Sequence, residues 1–128
     1  MTINDIYETA LYLAEKTDDN TGLIDSEYKK QHSKKAEIII RQAIRRFAAL
    51  TNEPFTDADL LKTDEDIPLL IYPLKNIIPY YVAAILCAHD KETDKYNLLI
   101  YEYQNELEHY KQDEEQIDIY DALCGLEG

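Results

Sequence analysis

The stretch from Leu69 to Tyr110 constrains the fold of this chain more than any other part of the sequence. Its first half is almost continuously apolar from Ile77 to Leu86, and its second half places apolar and tyrosine side chains at steps of three and four residues. Such steps return a side chain to the same face of an α-helix. The polar turn between the halves, HDKETD, is short. The two predicted helices must therefore run antiparallel, as an αα-hairpin.

The composition favours an all-α protein of one domain. The chain has 128 residues, enough to bury its own core, with only three glycines and four prolines. Its net charge is −13. This charge argues against a protein that binds nucleic acid on its own, because such proteins neutralise phosphates with cations. A charge this high favours solubility, and it also suits a surface that DNA must slide past without sticking.

The cysteines and the apolar run bear on the compartment. Cys87 and Cys124 lie far apart with no CxxC motif, so we expect free thiols in a reducing compartment. No secretion signal follows Met1. The longest apolar run, residues 69–88, is interrupted by charged and proline residues, among them Lys75. It is predicted to be a buried core helix of a soluble protein and not a membrane span.

A first helix is predicted from Ile3 to Lys16. Thr2 and Asp5 fit a capping box, in which the hydroxyl and the carboxylate accept hydrogen bonds from free backbone N–H groups. The segment TDDNTG, residues 17–22, consists of turn-forming residues and ends on a glycine suited to positive φ. We expect this segment to end the first helix.

The second helix is predicted to have one apolar and one basic face. Ser26 or Ser33 is its predicted N-cap, and apolar residues recur at helical spacing from Ala36 to Leu50. The opposite face holds seven of the thirteen cations of the chain: Lys29, Lys30, Lys34, Lys35, Arg41, Arg45 and Arg46. Such a face on an acidic protein either meets a partner or is simply solvated, and the sequence leaves both interpretations open.

The middle of the chain, residues 51–68, is predicted to be largely irregular. Thr56 and Asp59 resemble a capping box that starts one short helical turn, and acidic residues and Pro68 then mark a loop. Proline inside a helix removes a backbone hydrogen bond. The third helix is therefore predicted either to kink at Pro79 or to begin near it.

The fourth helix is predicted to run from Thr93 or Asp94 to about Gln112. Three tyrosines on it are spaced seven residues apart: Tyr96, Tyr103 and Tyr110. A tyrosine stripe usually lies at the edge of a core, but it also suits an interface, because each ring buries area while its hydroxyl keeps a polar partner.

The last residues form a predicted tail that is too apolar to be merely solvated. It is expected to dock on this subunit or on a neighbour through three apolar side chains: Ile117, Tyr120 and Leu123. The predicted architecture is thus all-α, with four main helices in a small bundle, a C-terminal αα-hairpin and an extended tail. Residues 1–112 form the helical domain and residues 113–128 the tail.

The sequence predicts no catalytic, cofactor-binding or metal site. Glu106 and His109 have the Glu-x-x-His spacing of di-metal bundles, but those sites need two such pairs and two further glutamates. His89 beside Asp90 has no nucleophile in a glycine-flanked turn to activate. The three glycines are too scattered to form a phosphate-binding loop. An enzyme is not expected, and a metal-binding bundle is the weakest alternative.

Four segments carry a family resemblance. They are TINDIYETALYLAE, GLID before the second helix, IPYYVAAILCAHDKETDKYNLLIYEYQNEL and the acidic ending QIDIYDALCGLEG. Together they resemble the head–tail connector, or neck adaptor, proteins of tailed phages and prophages, particularly the small all-helical type from phages of Gram-positive bacteria. The resemblance covers most of the chain, and it consists of patterns of residue type and not of an invariant signature.

This resemblance implies a structural virion protein without cofactors. Such proteins assemble in the host cytoplasm as a ring, typically of twelve subunits, beneath the portal protein at the head–tail junction. The ring extends the DNA channel and carries the next neck or tail-completion protein. Double-stranded DNA passes through it without specific binding, and no membrane is involved.

The charge layout predicts how subunits would meet. Residues 90–128 hold twelve acidic residues against three lysines, whereas the second helix is basic. The basic face of one subunit is expected to contact the acidic hairpin of its neighbour, head to tail. The predicted interface residues are Lys34, Arg41, Arg45, Arg46, Tyr96, Tyr103 and Tyr110. The alternative is a small acidic helical module that binds or regulates another protein.

Overall fold

The described part of the chain folds into a small bundle of four helices. The computed structural model describes the backbone of residues 2–51 and 75–127, and the side chains of residues 2–50 and 75–111. The helices are α1 (Ile3–Leu13), α2 (Ser26–Thr51), α3 (Ile78–His89) and α4 (Thr93–Glu127). This architecture confirms the predicted all-α class and the αα-hairpin, which α3 and α4 form. The predicted irregular segment after residue 51, with its helical turn at Thr56 and Asp59, lies outside the described residues.

α1 begins as predicted but ends earlier. The capping box is present: the Asp5 N–H donates to Thr2 Oγ1 (3.2 Å), and the Thr2 N–H donates to Asp5 Oδ2 (2.9 Å). The predicted end at Lys16 is wrong, because the helix ends at Leu13 and Glu15 then adopts a left-handed φ of 58°. This reversal turns Lys16 toward the α3–α4 turn, where acidic partners bind it.

The loop between α1 and α2 is closed at its base by backbone hydrogen bonds. Thr17 and Ile24 form an isolated antiparallel bridge, and the Asp25 N–H donates to the Lys16 carbonyl (3.0 Å). At the tip, Gly22 has the predicted positive φ, 69°, and its N–H donates to the Asp18 carbonyl (2.8 Å). The predicted glycine turn is therefore present, but it shapes this loop and does not end α1.

Asp25 caps α2. Its Oδ1 accepts hydrogen bonds from the N–H groups of Glu27 (3.0 Å) and Tyr28 (3.3 Å). Its negative charge is also attracted to the positive N-terminal end of the helix dipole. The predicted caps are wrong. Ser26 is the first helical residue, and Ser33 lies inside the helix, where its hydroxyl donates to the Lys30 carbonyl (3.2 Å).

α3 is the central helix. It begins at Ile78, with Pro79 in its first turn, which confirms the second of the two predicted arrangements. Apolar side chains are buried around most of its circumference, and it packs against α1, α2 and α4. Cys87 on this helix is a buried free thiol, and burial raises its pKa. Because α3 contacts all three other helices, α2 and α4 each turn one face toward it and another toward solvent.

The predicted core is largely confirmed. The apolar face of α2 is buried through Phe47, whereas Leu50 near the end of this helix is 42% exposed. The main buried side chains from the four helices are Ile6, Leu11, Ile40, Ile44, Phe47, Ile78, Val82, Leu86 and Leu99.

α4 is longer than predicted. The expected end near Gln112 is wrong, because the backbone remains helical to Glu127. No glycine or proline interrupts residues 113–124, so nothing local stops the helix. The stretch predicted as an extended tail thus continues α4. The side chains of Ile117, Tyr120 and Leu123 lie outside the described ones, so their docking stays a prediction.

The Asp25 cap can be tested by substitution. We expect Asp25→Ala to lower the free energy of unfolding by about 1 kcal/mol, because two N–H groups lose their acceptor. Ser33→Ala is the matched control and should change the free energy by less than about 0.5 kcal/mol, since its exposed mid-helix hydroxyl caps nothing. Denaturant unfolding followed by circular dichroism measures both. Equal losses in the two variants would contradict the assignment.

Candidate functional site

Ion pairs join the α1–α2 region to the α3–α4 turn. Lys16 Nζ lies 2.7 Å from Asp90 Oδ2 and also pairs with Glu92. The Tyr28 hydroxyl donates to the same Asp90 oxygen (2.7 Å), and Lys95 Nζ lies 2.9 Å from Glu92 Oε2. These five residues, here called the turn cluster, connect three helices at one end of the bundle.

Hydrogen bonds within the turn cluster outweigh the cost of partly burying its charges. Burial tends to raise the pKa of Asp90, but hydrogen bonds from Lys16 and Tyr28 outweigh it and hold that pKa below its ordinary value. Hydrogen bonds from Lys16 and Lys95 likewise lower the pKa of Glu92. Burial tends to lower the pKa of Lys16, but its bonds to Asp90 and Glu92 raise it. The cluster therefore favours the charged forms of all three groups.

Sequence reasoning missed the turn cluster. The prediction treated HDKETD as a polar turn, and nothing local links it to a lysine 76 residues away from Glu92. His89 is the last residue of α3 and is exposed. His32 contacts the turn cluster through Tyr28, because the two rings stack with 4.0 Å between their centroids.

The turn cluster generates a prediction for stability and its pH dependence. Lys16→Met should lower the free energy of unfolding at neutral pH by about 1–2 kcal/mol, because two carboxylates lose their cation. In the parent protein, the contribution of Asp90 and Glu92 is present above their ordinary pKa values of 3.8 and 4.5. It is lost as pH falls through their lowered values, because both groups must then be protonated.

The variant should therefore show a weaker loss of stability on acidification than the parent. Chemical denaturation across a pH series measures this difference. Lys91→Met is the matched control, since Lys91 lies in the same turn, is exposed and forms no ion pair among the described residues. An unchanged acid limb in Lys16→Met would show that the cluster contributes nothing to folding.

The solvent side of α2 is basic. Five residues spaced by three or four positions lie on it and define the basic face: Lys30, Lys34, Ile38, Arg41 and Arg45. Lys30 and Lys34 are exposed and form no ion pair within the described part of the chain. Arg41 is half-buried, with Nη2 2.8 Å from Glu37 Oε1 one turn away. Ile38 stands among these cations and is 58% exposed.

Two further cations that the sequence placed on this face also bind within the chain. Lys29 Nζ lies 2.8 Å from Glu8 Oε1 of α1. The Arg46 guanidinium lies over the ring of Tyr81 on α3, 5.8 Å from its centroid. Arg46, a predicted interface residue, therefore also contacts α3 of its own chain.

The tyrosine stripe of α4 faces inward. Tyr103 is 7% exposed, its ring centroid lies 5.2 Å from that of Tyr81, and burial raises its pKa. Tyr110 packs on Phe47 of α2 at 5.6 Å, and Tyr96 is partly buried against the core. Contacts within the bundle thus bury much of the surface of these three rings. Their predicted role between subunits stays a prediction.

The solvent side of α4 is acidic and carries two exposed apolar side chains. Five residues define the acidic surface: Asp94, Leu98, Tyr101, Asn105 and Glu108. Leu98 is 63% exposed and Tyr101 58% exposed. Sequence reasoning overlooked this pair, although the two residues lie three positions apart and off the tyrosine stripe, a spacing that places them together on the outer face.

Two other kinds of feature are absent from the described part of the chain. No cluster of three or more His, Cys, Asp or Glu side chains there is arranged to hold a metal ion. None of the described helices combines the length and the apolar character needed to cross a bilayer.

The chain was compared with known proteins. No family model, no curated protein and no solved structure matches it. The resemblance to phage connectors therefore rests on the sequence patterns alone, and the functional argument rests on the surfaces described above.

Proposed function

We propose that this protein is a structural subunit of a tailed-phage virion, a head–tail connector that forms a ring beneath the portal. The observation that carries the proposal is the separation of charge onto two surfaces. Lys30 and Lys34 are exposed on α2, and Asp94 and Glu108 are exposed on α4. Two different, complementary surfaces on one chain favour a head-to-tail contact, which closes into a ring when the rotation per subunit permits.

In the proposed head-to-tail contact, charge complementarity mainly sets the alignment of the two copies and the rate at which they associate. α2 holds seven cations and two acidic residues, whereas α4 holds ten acidic residues and two lysines. Helices of opposite net charge steer encounter and disfavour a wrong alignment, while apolar contacts supply most of the burial. The net charge of −13 also disfavours adhesion of DNA, as a channel for passing DNA requires.

The ring would connect several partners. In the proposed setting it contacts the portal protein on one side and the next neck or tail-completion protein on the other, and the ending of α4 reaches one of these or an adjacent subunit. Twelve subunits is the number that the family resemblance implies. The gene is then expected directly after the portal and capsid genes.

A charge-swap experiment tests the head-to-tail contact. One variant carries Lys30→Glu and Lys34→Glu, and a second carries Asp94→Lys and Glu108→Lys. Each variant by itself should assemble poorly at low salt, because both of its contact surfaces then carry the same sign of charge and repel each other. An equimolar mixture should assemble. The intact acidic surface of the first variant attracts the intact basic face of the second, and the two reversed surfaces also have opposite charges. Sedimentation velocity and negative-stain images, alone and with the portal protein, measure assembly.

Lys91→Glu with Lys75→Glu is the matched control for net charge. It reverses two exposed lysines outside the basic face and should assemble like the parent. Failure of the mixture to assemble, under conditions where the parent forms rings, would contradict the head-to-tail arrangement. Absence of rings for the parent, with and without portal, would reject the connector function and favour a helical module that binds another acidic or basic partner.

A further inference from the structure

Three large apolar side chains are exposed within the two charged surfaces. Ile38 lies at the middle of the basic face, with Lys34 one turn before it and Arg41 one turn after it. Leu98 and Tyr101 lie together on the acidic surface, with Asp94 one turn before Leu98. An apolar centre inside a charged rim is the usual anatomy of a protein interface.

We propose that Ile38 of one copy of this chain packs against Leu98 and Tyr101 of the next copy. This contact rests on the proposed function and names the apolar centre of its head-to-tail interface. The occupant is a second copy because the surrounding charges are opposite: cations flank Ile38, whereas Asp94 lies one turn before Leu98 and Glu102 one turn after it. Two basic faces or two acidic surfaces would instead place like charges opposite each other.

The spacing of the side chains fits one register. Ile38 lies four positions after Lys34, and Leu98 lies four positions after Asp94. Both steps correspond to about 6 Å along a helix axis. A parallel alignment of the two helices therefore brings Ile38 onto Leu98 and Lys34 onto Asp94 at the same time.

The inward position of the tyrosine stripe supports this assignment. Tyr103 already packs on Tyr81, and Tyr110 on Phe47. The outer pair Leu98 and Tyr101 has no comparable cover from the described part of the chain. A patch of three apolar side chains makes a weak contact by itself, and many such contacts in one ring reinforce each other.

Disulfide trapping tests the contact. Cys124→Ser removes one native thiol from all variants, and the buried Cys87 is kept. A copy with Ile38→Cys and a differently tagged copy with Leu98→Cys are mixed under mild oxidation. We expect a mixed disulfide, because the contact would bring the two Cα atoms within the roughly 7 Å that a disulfide requires. Leu23→Cys is the control partner, since Leu23 is 62% exposed but lies in the α1–α2 loop.

The products separate the two proposals. A mixed 38–98 product in clear excess over the 38–23 product supports the inference. Dominant 38–38 or 98–98 products would overturn it, because they indicate a two-fold contact. Assembly of the charge-swap mixture without excess 38–98 product would overturn this inference and leave the head-to-tail ring standing. A 38–98 product from a protein that forms no ring with portal would retain the contact and reject the connector function.

A second measurement needs no engineered thiol. Ile38→Ser should weaken self-association about tenfold, as expected for loss of an apolar side chain at the centre of an interface. Tyr12→Ser removes an equally accessible apolar side chain on α1, 50% exposed, and should leave self-association unchanged. Equal effects of both substitutions would overturn the assignment, and circular dichroism confirms that both variants are folded.

Discussion

Burial of α3 is the interaction on which the rest of the structure depends. Each of the other helices contributes an apolar stripe, and α3 receives all of them because it is apolar around most of its circumference. Small residues, Ala83 and Ala84, lie fully buried on it and allow neighbours to approach closely. A helix with no polar face must lie in the middle of a bundle. That requirement leaves α2 and α4 with outer faces free for other uses.

Much of the fold could be predicted from the sequence because apolar periodicity reports burial directly. The apolar run and the short turn predicted the α3–α4 hairpin, and the spacing from Ala36 to Leu50 predicted the inner face of α2, which is buried through Phe47 but not at Leu50. The errors fall where backbone geometry depends on distant partners. Glu15 adopts a left-handed conformation that its residue type does not favour, in a chain where Gly22 seemed the better candidate. The N-cap of α2 is Asp25 and neither of the two predicted serines.

The candidate surfaces were only partly predictable for the same reason. Charge counts located a basic helix and an acidic hairpin, but they could not show which cations have partners inside the subunit. Arg46 lies over Tyr81, and Lys29 pairs with Glu8, so these two charges also serve the bundle. The tyrosine stripe was conspicuous in the sequence, yet the structure packs it inward. Leu98 and Tyr101 attract less notice in the sequence, and their significance comes from their exposure.

The closed base of the α1–α2 loop has a practical consequence. The Asp25 N–H donates to the Lys16 carbonyl and the Asp18 N–H to the Leu23 carbonyl, which holds the two ends of this loop together, while residues 19–22 at its tip are exposed. Extra residues inserted at the tip would extend into solvent without moving the helices, because loop length adds little entropic cost once the ends are held. The tip is thus a natural attachment point for a bulky label. Such a label would reveal, in images of an assembly, which way each subunit points.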